Sequence, residues 1–367
     1  MRLLKIILPP MLLALAGCSS PGTSAPVNGA AKRVYNGTAS VGDFLNITLD
    51  ASAQTVSYTD LSNGDSGVVP YTVNSDGTYT LNDPEGNLIA AYEVPNYALL
   101  VQAAKTGAKH DALALITAVE SGQISEATVA GHAYNYMQFR TAAGGLEVGS
   151  VKINAQGVGG NSSYWPFGAL NQNGGAFHTG AIDLSQAQED SSGTYMTIPD
   201  QNGTDYIFGT ANGIFAVDTP NGAILGLQKA VSKDFDPAFA GTYKAIYFQK
   251  TGASTGQGNV ETGTPSLGKA TLAVSSSGQV TVTNADGKQM VQATLTPVAD
   301  ASYLYGSPGE LQDPCYGVFT LRVTKARSQQ DVFVTFMSNA LLFSSFKANL
   351  PWSGSGTYNY LYGVGLR

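Results

Sequence analysis

Charge is scarce in this chain. Lys, Arg, Asp and Glu make up 12% of its 367 residues, about half the usual quarter. The balance is acidic, −7 at neutral pH, and no basic patch is present. That argues against nucleic acid as a partner, because neutralising phosphates dominates such binding. Histidine is nearly absent: His110, His132 and His178 lie far apart, and none has metal-ligand spacing such as His-Glu-x-x-His. No Gly-x-Ser-x-Gly elbow occurs, which leaves an α/β-hydrolase without support. No apolar run reaches the roughly 20 residues that a membrane-spanning helix needs. What remains is 43% hydrophobic and rich in glycine, so solubility rests on Ser, Thr, Asn, Gln and Gly. That profile fits an exported all-β protein.

The N-terminus carries the most specific pattern. Arg2 and Lys5 precede an apolar run from Ile6 to Ala16, which ends in Leu15-Ala16-Gly17-Cys18. A basic start, a short apolar core and small residues at the cut are the parts of a secretory signal. The stretch resembles the lipobox of bacterial lipoproteins. That resemblance implies removal of residues 1–17, a diacylglycerol thioether on Cys18 and acylation of the new amino group. Stable anchoring takes more than one acyl chain, and a diacylglycerol supplies two. Loss of Arg2 and Lys5 with the leader takes the net charge from −7 to −9. Ser19, in the second mature position, resembles lipoproteins sorted to the outer membrane. The expected location is therefore the cell envelope, with the membrane as a partner through the lipid. With Cys18 lipidated, Cys315 has no intramolecular disulfide partner, and it reads as a buried apolar residue or, alternatively, as a nucleophile or an intermolecular bridge.

Residues 18–33 are Ser/Pro/Gly/Ala-rich without periodicity and read as a flexible tether. From Val34 onward, short runs of β-branched and aromatic residues alternate with turn clusters such as Ser62-Asn63-Gly64-Asp65 and Asn74-Ser75-Asp76-Gly77. This spacing predicts an all-β, mainly antiparallel fold of tandem small barrels or sandwiches. One helix is expected near 111–121, where Ala112, Leu115, Ile116 and Val119 fall on one helical face. Asp111 would cap its start and Gly122 its end.

Internal echoes suggest modules. Pro95-Asn96-Tyr97-Ala98-Leu99-Leu100 recurs as Pro220-Asn221-Gly222-Ala223-Ile224-Leu225, and more weakly as Ser338-Asn339-Ala340-Leu341-Leu342. Gly131-His132-Ala133-Tyr134, Gly241-Thr242-Tyr243 and Gly356-Thr357-Tyr358 follow the three in turn. Asn46 to Tyr58 is similar to Ala270 to Val282. We read three β modules, 34–130, 131–240 and 241–367, against the alternative of two larger domains. The Tyr-rich strand from Thr357 to Leu366 is expected to close the last module by pairing with its first strand. With its lipobox, Gly-Thr-Tyr and Pro-Asn-x-Ala-Leu-Leu motifs, the text also resembles uncharacterised β-rich lipoproteins of Gram-negative bacteria. That resemblance implies no activity.

Candidates for chemistry are few. Gly157-Val158-Gly159-Gly160 lacks the Lys of a phosphate loop. Asn63-Gly64-Asp65 and Asn82-Asp83-Pro84-Glu85-Gly86-Asn87 offer oxygen ligands for calcium but lack EF-hand spacing, and turn residues look the same. No catalytic residue, metal site or cofactor is expected. The best recognition candidate is aromatic: Tyr164, Trp165 and Phe167 within Ser163-Tyr164-Trp165-Pro166-Phe167-Gly168, followed by His178. Exposed rings beside Asn and Gln stack on sugars or grip peptides. Equally, Trp165 and Trp352 are suited to anchoring module cores. The expected function is a lipid-anchored protein that binds a glycan, a peptide or an envelope protein through loops. A hydrolase with a site assembled across strands and a structural surface component are the alternatives.

Overall fold

A computed structural model describes residues 31–82, 88–103, 113–139, 147–153, 159–166, 178–180, 184, 186–200, 202–209, 213–254, 264–298, 316–325, 328–347 and 356–367. Three antiparallel sheets follow one another along the chain. The first is a closed barrel of β1 (Lys32–Ala39), β2 (Phe44–Asp50), β3 (Thr55–Asp60), β4 (Ser66–Val73), β5 (Tyr79–Asn82), β6 (Leu88–Val94), β7 (Ala98–Ala103) and β8 (Ala114–Glu120), with β8 returning to pair with β1. A short helix, α1 (Glu126–Val129), follows. The second sheet contains β9 (Ala133–Phe139), β10 (Glu147–Ile153), β11 (Gly159–Pro166), β12 (His178–Gly180), β13 (Gln188–Glu189), β14 (Met196–Asp200), β15 (Gly203–Gly209), β16 (Ile214–Thr219) and β17 (Gly222–Gln228). Its first and last strands pair, so the sheet edges fall in its sequence middle, at β12 and β13. A 3-10 turn, Pro237–Phe239, leads into the last barrel. That barrel is closed from β18 (Gly241–Ser254), β19 (Thr264–Val274), β20 (Gln279–Asn284), β21 (Gln289–Pro297), β22 (Val318–Lys325), β23 (Ser328–Met337), β24 (Ala340–Lys347) and β25 (Gly356–Leu366). As expected from its alternating tyrosines, β25 pairs with β18 along its whole length.

The expected all-β fold is therefore realised with barrels, and closure removes the exposed edges that open sheets carry. The predicted helix near 111–121 is corrected. Residues 114–120 form β8, and the helix lies at 126–129. The reason is two-sided burial. Ala114, Ile116 and Ala118 fill the interior of the first barrel, while Leu115 and Val119 pack outside it. A strand covered on both faces loses its period of two, and its apolar residues then mimic a helical stripe. The actual helix is short, with the Thr128 hydroxyl accepting the Ser125 N–H at 2.9 Å.

Each barrel has its own interior core, the middle sheet has an inner cluster, and a fourth cluster joins the three sheets. Phe44 stacks on Tyr206 at 4.5 Å between the first barrel and the middle sheet. Tyr362 stacks on Phe139 at 4.7 Å and on Phe248 at 5.0 Å, which ties the middle sheet to the last barrel. Between the two barrels, the Lys244 ammonium lies 5.1 Å from the centre of the Tyr92 ring.

The sequence echoes now have a physical meaning. Each begins at the turn before a strand covered on both faces. Ala98 and Leu100 enter the shared core while Leu99 enters the first barrel. Ala340 and Leu342 do the same outside the last barrel, with Leu341 inside. Ala223 and Leu225 join the shared core, while Ile224 packs on the inner cluster of the middle sheet. Asn46 to Tyr58 and Ala270 to Val282 lie on the second and third strands of their respective barrels.

Candidate functional site

The middle sheet separates the residues that the aromatic motif groups together. Tyr164 of β11 is the register partner of His178 of β12. On its other side it pairs with Gly149, and the row continues through Tyr136, Gly226 and Phe215. Trp165 belongs to the next row, with Val148, Met137, Leu225 and Ala216. Adjacent residues of a strand belong to opposite faces of the sheet. The first row contains Tyr136 and Phe215 of the inner cluster, and the second contains residues of the shared core. Tyr164 and His178 are thus brought together at the sheet edge, and Trp165 falls in a core row. Phe167, His110, Cys18, Cys315 and Trp352 lie outside the described residues.

His132 is exposed, with its ring 6.4 Å from that of Tyr134. The Asn63-Gly64-Asp65 segment is a turn: Asp60 Oδ1 accepts the Ser62 and Asn63 N–H groups, and Asn63 Oδ1 accepts that of Asp65. The second calcium candidate, 82–87, has only Asn82 among the described residues. Among the described residues, no group of three His, Cys, Asp or Glu is placed to hold a metal ion.

A polar cluster that sequence reasoning missed sits inside the first barrel. Arg33 of β1 donates to Glu93 of β6 through Nε at 2.6 Å and Nη2 at 2.8 Å. Tyr35 donates its hydroxyl to Oε1 of the same carboxylate at 2.5 Å, and Tyr79 donates to Oε2 at 2.7 Å. The Glu93 side chain is fully buried and that of Arg33 is 8% exposed. Burial, reinforced by the Glu93 charge, pushes both tyrosine hydroxyls well above their ordinary range. The bond to Glu93 raises Arg33 as well. Both carboxylate oxygens are engaged by two donors each, so the cluster is built to hold strands rather than to move a proton. The available signal was a single acid in the apolar run Leu88 to Val94, and an arginine two residues before a tyrosine on the opening strand.

No protein-family model matches the sequence, and no curated protein matches it. Among solved structures, two variants of the vaccine antigen transferrin-binding protein B from Haemophilus parasuis are similar. They share 8% and 9% identity, each with a TM-score of 0.29, over 88% and 92% of this chain and 66% and 76% of theirs. A protein of unknown function of the DUF3598 family from Nostoc punctiforme is similar at 10% identity and a TM-score of 0.23. It is matched along 100% of its length, over 67% of this chain. The chain thus spans 66% of the length of the first of these structures, and the fold assignment rests on the barrels themselves.

Proposed function

We propose that this chain is a lipid-anchored envelope protein that binds a partner at the open edge of its middle sheet. Acyl chains on Cys18 hold it to the outer membrane, and residues 18–30 act as a tether, which is shorter than the expected 18–33 because β1 already starts at Lys32. Three β modules, 34–130 preceded by the start of β1, 131–240 and 241–367, form the body. One observation carries the reading. Both barrels are closed, whereas the middle sheet ends on β12 and β13, each with a single neighbour among the described residues. The register sets Tyr164 opposite His178 at that edge. Edge strands offer unpaired N–H and C=O groups that an extended segment can join as an added strand, and nearby pockets then choose the side chains. An aromatic and an imidazole at the same edge suit a peptide or a sugar ring. Phe167 is a further member of the proposed site, whereas Trp165, in the neighbouring row of the register, serves as the comparison residue.

The test compares the full-length protein with Tyr164→Ala, His178→Ala and Trp165→Ala on glycan arrays and extended-peptide libraries. Folding is checked by circular dichroism. The reading expects the first two to lose binding at least tenfold while staying folded. Profiles identical to the unaltered protein would remove this edge from consideration. Mass spectrometry of the mature product supplies the anchoring test, which an unmodified Cys18 would fail.

A further inference from the structure

The first barrel meets the middle sheet at a joint that gathers aspartates from both sides. Asp218 of β16 is 1% exposed, and its Oδ1 accepts the Thr38 hydroxyl of β1 at 2.5 Å. Asp43, in the turn before β2, and Asp60, the last residue of β3, are buried too, and both act electrostatically on Asp218. The turn that carries Asp43 is pressed onto the middle sheet. A Cβ on Gly42 would lie 2.5 Å from the Thr219 carbonyl oxygen. The Phe44–Tyr206 stack lies across the same boundary.

We propose that this joint is a pH-responsive coupling between the first barrel and the middle sheet, tight when its carboxyls are protonated and looser as they ionise together. The groups that face it are acidic on both sides. The first barrel contributes Asp43, Asp60 and Asp65, and the middle sheet contributes Tyr206 and Asp218, with Asp205 acting on Asp218 from the opposite face of β15. Farther out, Asp200 acts on Asp205, and Asp190 on Tyr195, whose ring packs beside Phe44. Asn36, donating to the Thr194 carbonyl at 2.8 Å, is an uncharged contact across the boundary.

Burial, then the charge of Asp43, pushes Asp60 from 3.8 to about 6. Burial, then Asp200, pushes Asp205 to about 6 as well. Burial holds Asp218 well above the carboxylate range, although the Thr38 bond opposes it. The sign follows from linkage. Below the ordinary value each group is protonated whether the joint is closed or open, so pH has no effect. Between the ordinary and the raised value, the open joint ionises while the closed one stays protonated. Rising pH therefore favours opening, and for Asp60 the effect levels off above about 6. Raising Asp60 to about 6 corresponds to a change on the order of a hundredfold in the opening equilibrium.

Hydrogen exchange of the full-length protein, corrected for intrinsic rates, reads this directly from about pH 4 to about pH 7. Amides of β1, β16 and the 40–43 turn are expected to lose protection, on the order of a hundredfold for the Asp60 share alone. Amides of β22 and β23 serve as the internal control. Asp218→Asn, which keeps the side chain uncharged, is expected to lose less protection over that range than the unaltered protein, with the Asp60 share remaining. Should that variant not fold, Asp60→Asn makes the same comparison. Parallel pH profiles in variant and unaltered protein would overturn the proposal. So would an equal loss of protection in β22 and β23.

Discussion

At the scale of single residues, the Arg33–Glu93 pair shows what low charge content does to a fold. A chain with few ions that still buries two of them must satisfy both. Here the guanidinium fork meets the carboxylate at 2.6 and 2.8 Å, a geometry that arginine supplies and lysine cannot. Two tyrosine hydroxyls complete the carboxylate's bonding. Removing one partner leaves an uncompensated buried charge, which costs about 3–5 kcal/mol. Glu93→Gln is expected to lower unfolding free energy by about that amount in urea titrations. Converting both partners, Arg33→Met with Glu93→Leu, is expected to recover a large part of the loss, because a buried apolar pair needs no ionic partner. A Glu93→Gln protein within about 0.5 kcal/mol of the unaltered one, the range of ordinary surface changes, would show that the pair holds nothing.

At the scale of elements, the recurrent Ala-Leu-Leu motif marks strands with no solvent face. Leu341 and Leu342 are both essentially inaccessible, one inside the last barrel and the other in the shared core. Each substitution to Ala is therefore expected to cost about 2–5 kcal/mol, the range for a buried leucine. In a strand with one wet face only one of the two would matter. Equilibrium unfolding of the two single variants decides this, and a near-neutral Leu342→Ala would mean that the outer contact is loose. The same double coverage explains why residues 114–120 suggested a helix. Periodicity reports how many faces of an element are wet, and β8 has none. The strands with one wet face were legible without the structure. In β2, for example, Leu45, Ile47 and Leu49 face the barrel interior while Asn46, Thr48 and Asp50 are half-buried on the other side. Turns were legible too, since Gly64 and Gly77 sit at positive φ within clusters rich in Asn, Asp and Ser.

At the scale of the whole molecule, residues from all three sheets share one apolar cluster. The described body from Ala31 to Arg367 is one compact unit. Barrels strung on linkers would melt one by one. Barrels whose outer faces form a common core lose that core together. Calorimetry of the full-length protein is therefore expected to give one cooperative transition, with calorimetric and van't Hoff enthalpies in agreement. Separate transitions for the two barrels would contradict the shared core as a source of coupling. The candidate edge also belongs to this scale. Tyr164 and His178 are separated by 13 intervening residues in the chain, and only the β11–β12 register makes them neighbours. The same register assigns Trp165 to a core row, a distinction that no count of aromatic residues supplies.

Local chemistry alone determined that this chain is built from antiparallel strands with short turns. Alternation, β-branching and turn residues act between near neighbours, and their preferences are written where they act. The pairing of the last strand with the first of its barrel was also readable, because a Tyr-rich alternating strand needs a partner. Closure into barrels, the ion cluster around Glu93 and the aspartate joint were decided only by the tertiary structure. Each of these depends on contacts between residues far apart in sequence. Whether a leucine meets solvent, or an aspartate meets another aspartate, is set by which sheet lands on which.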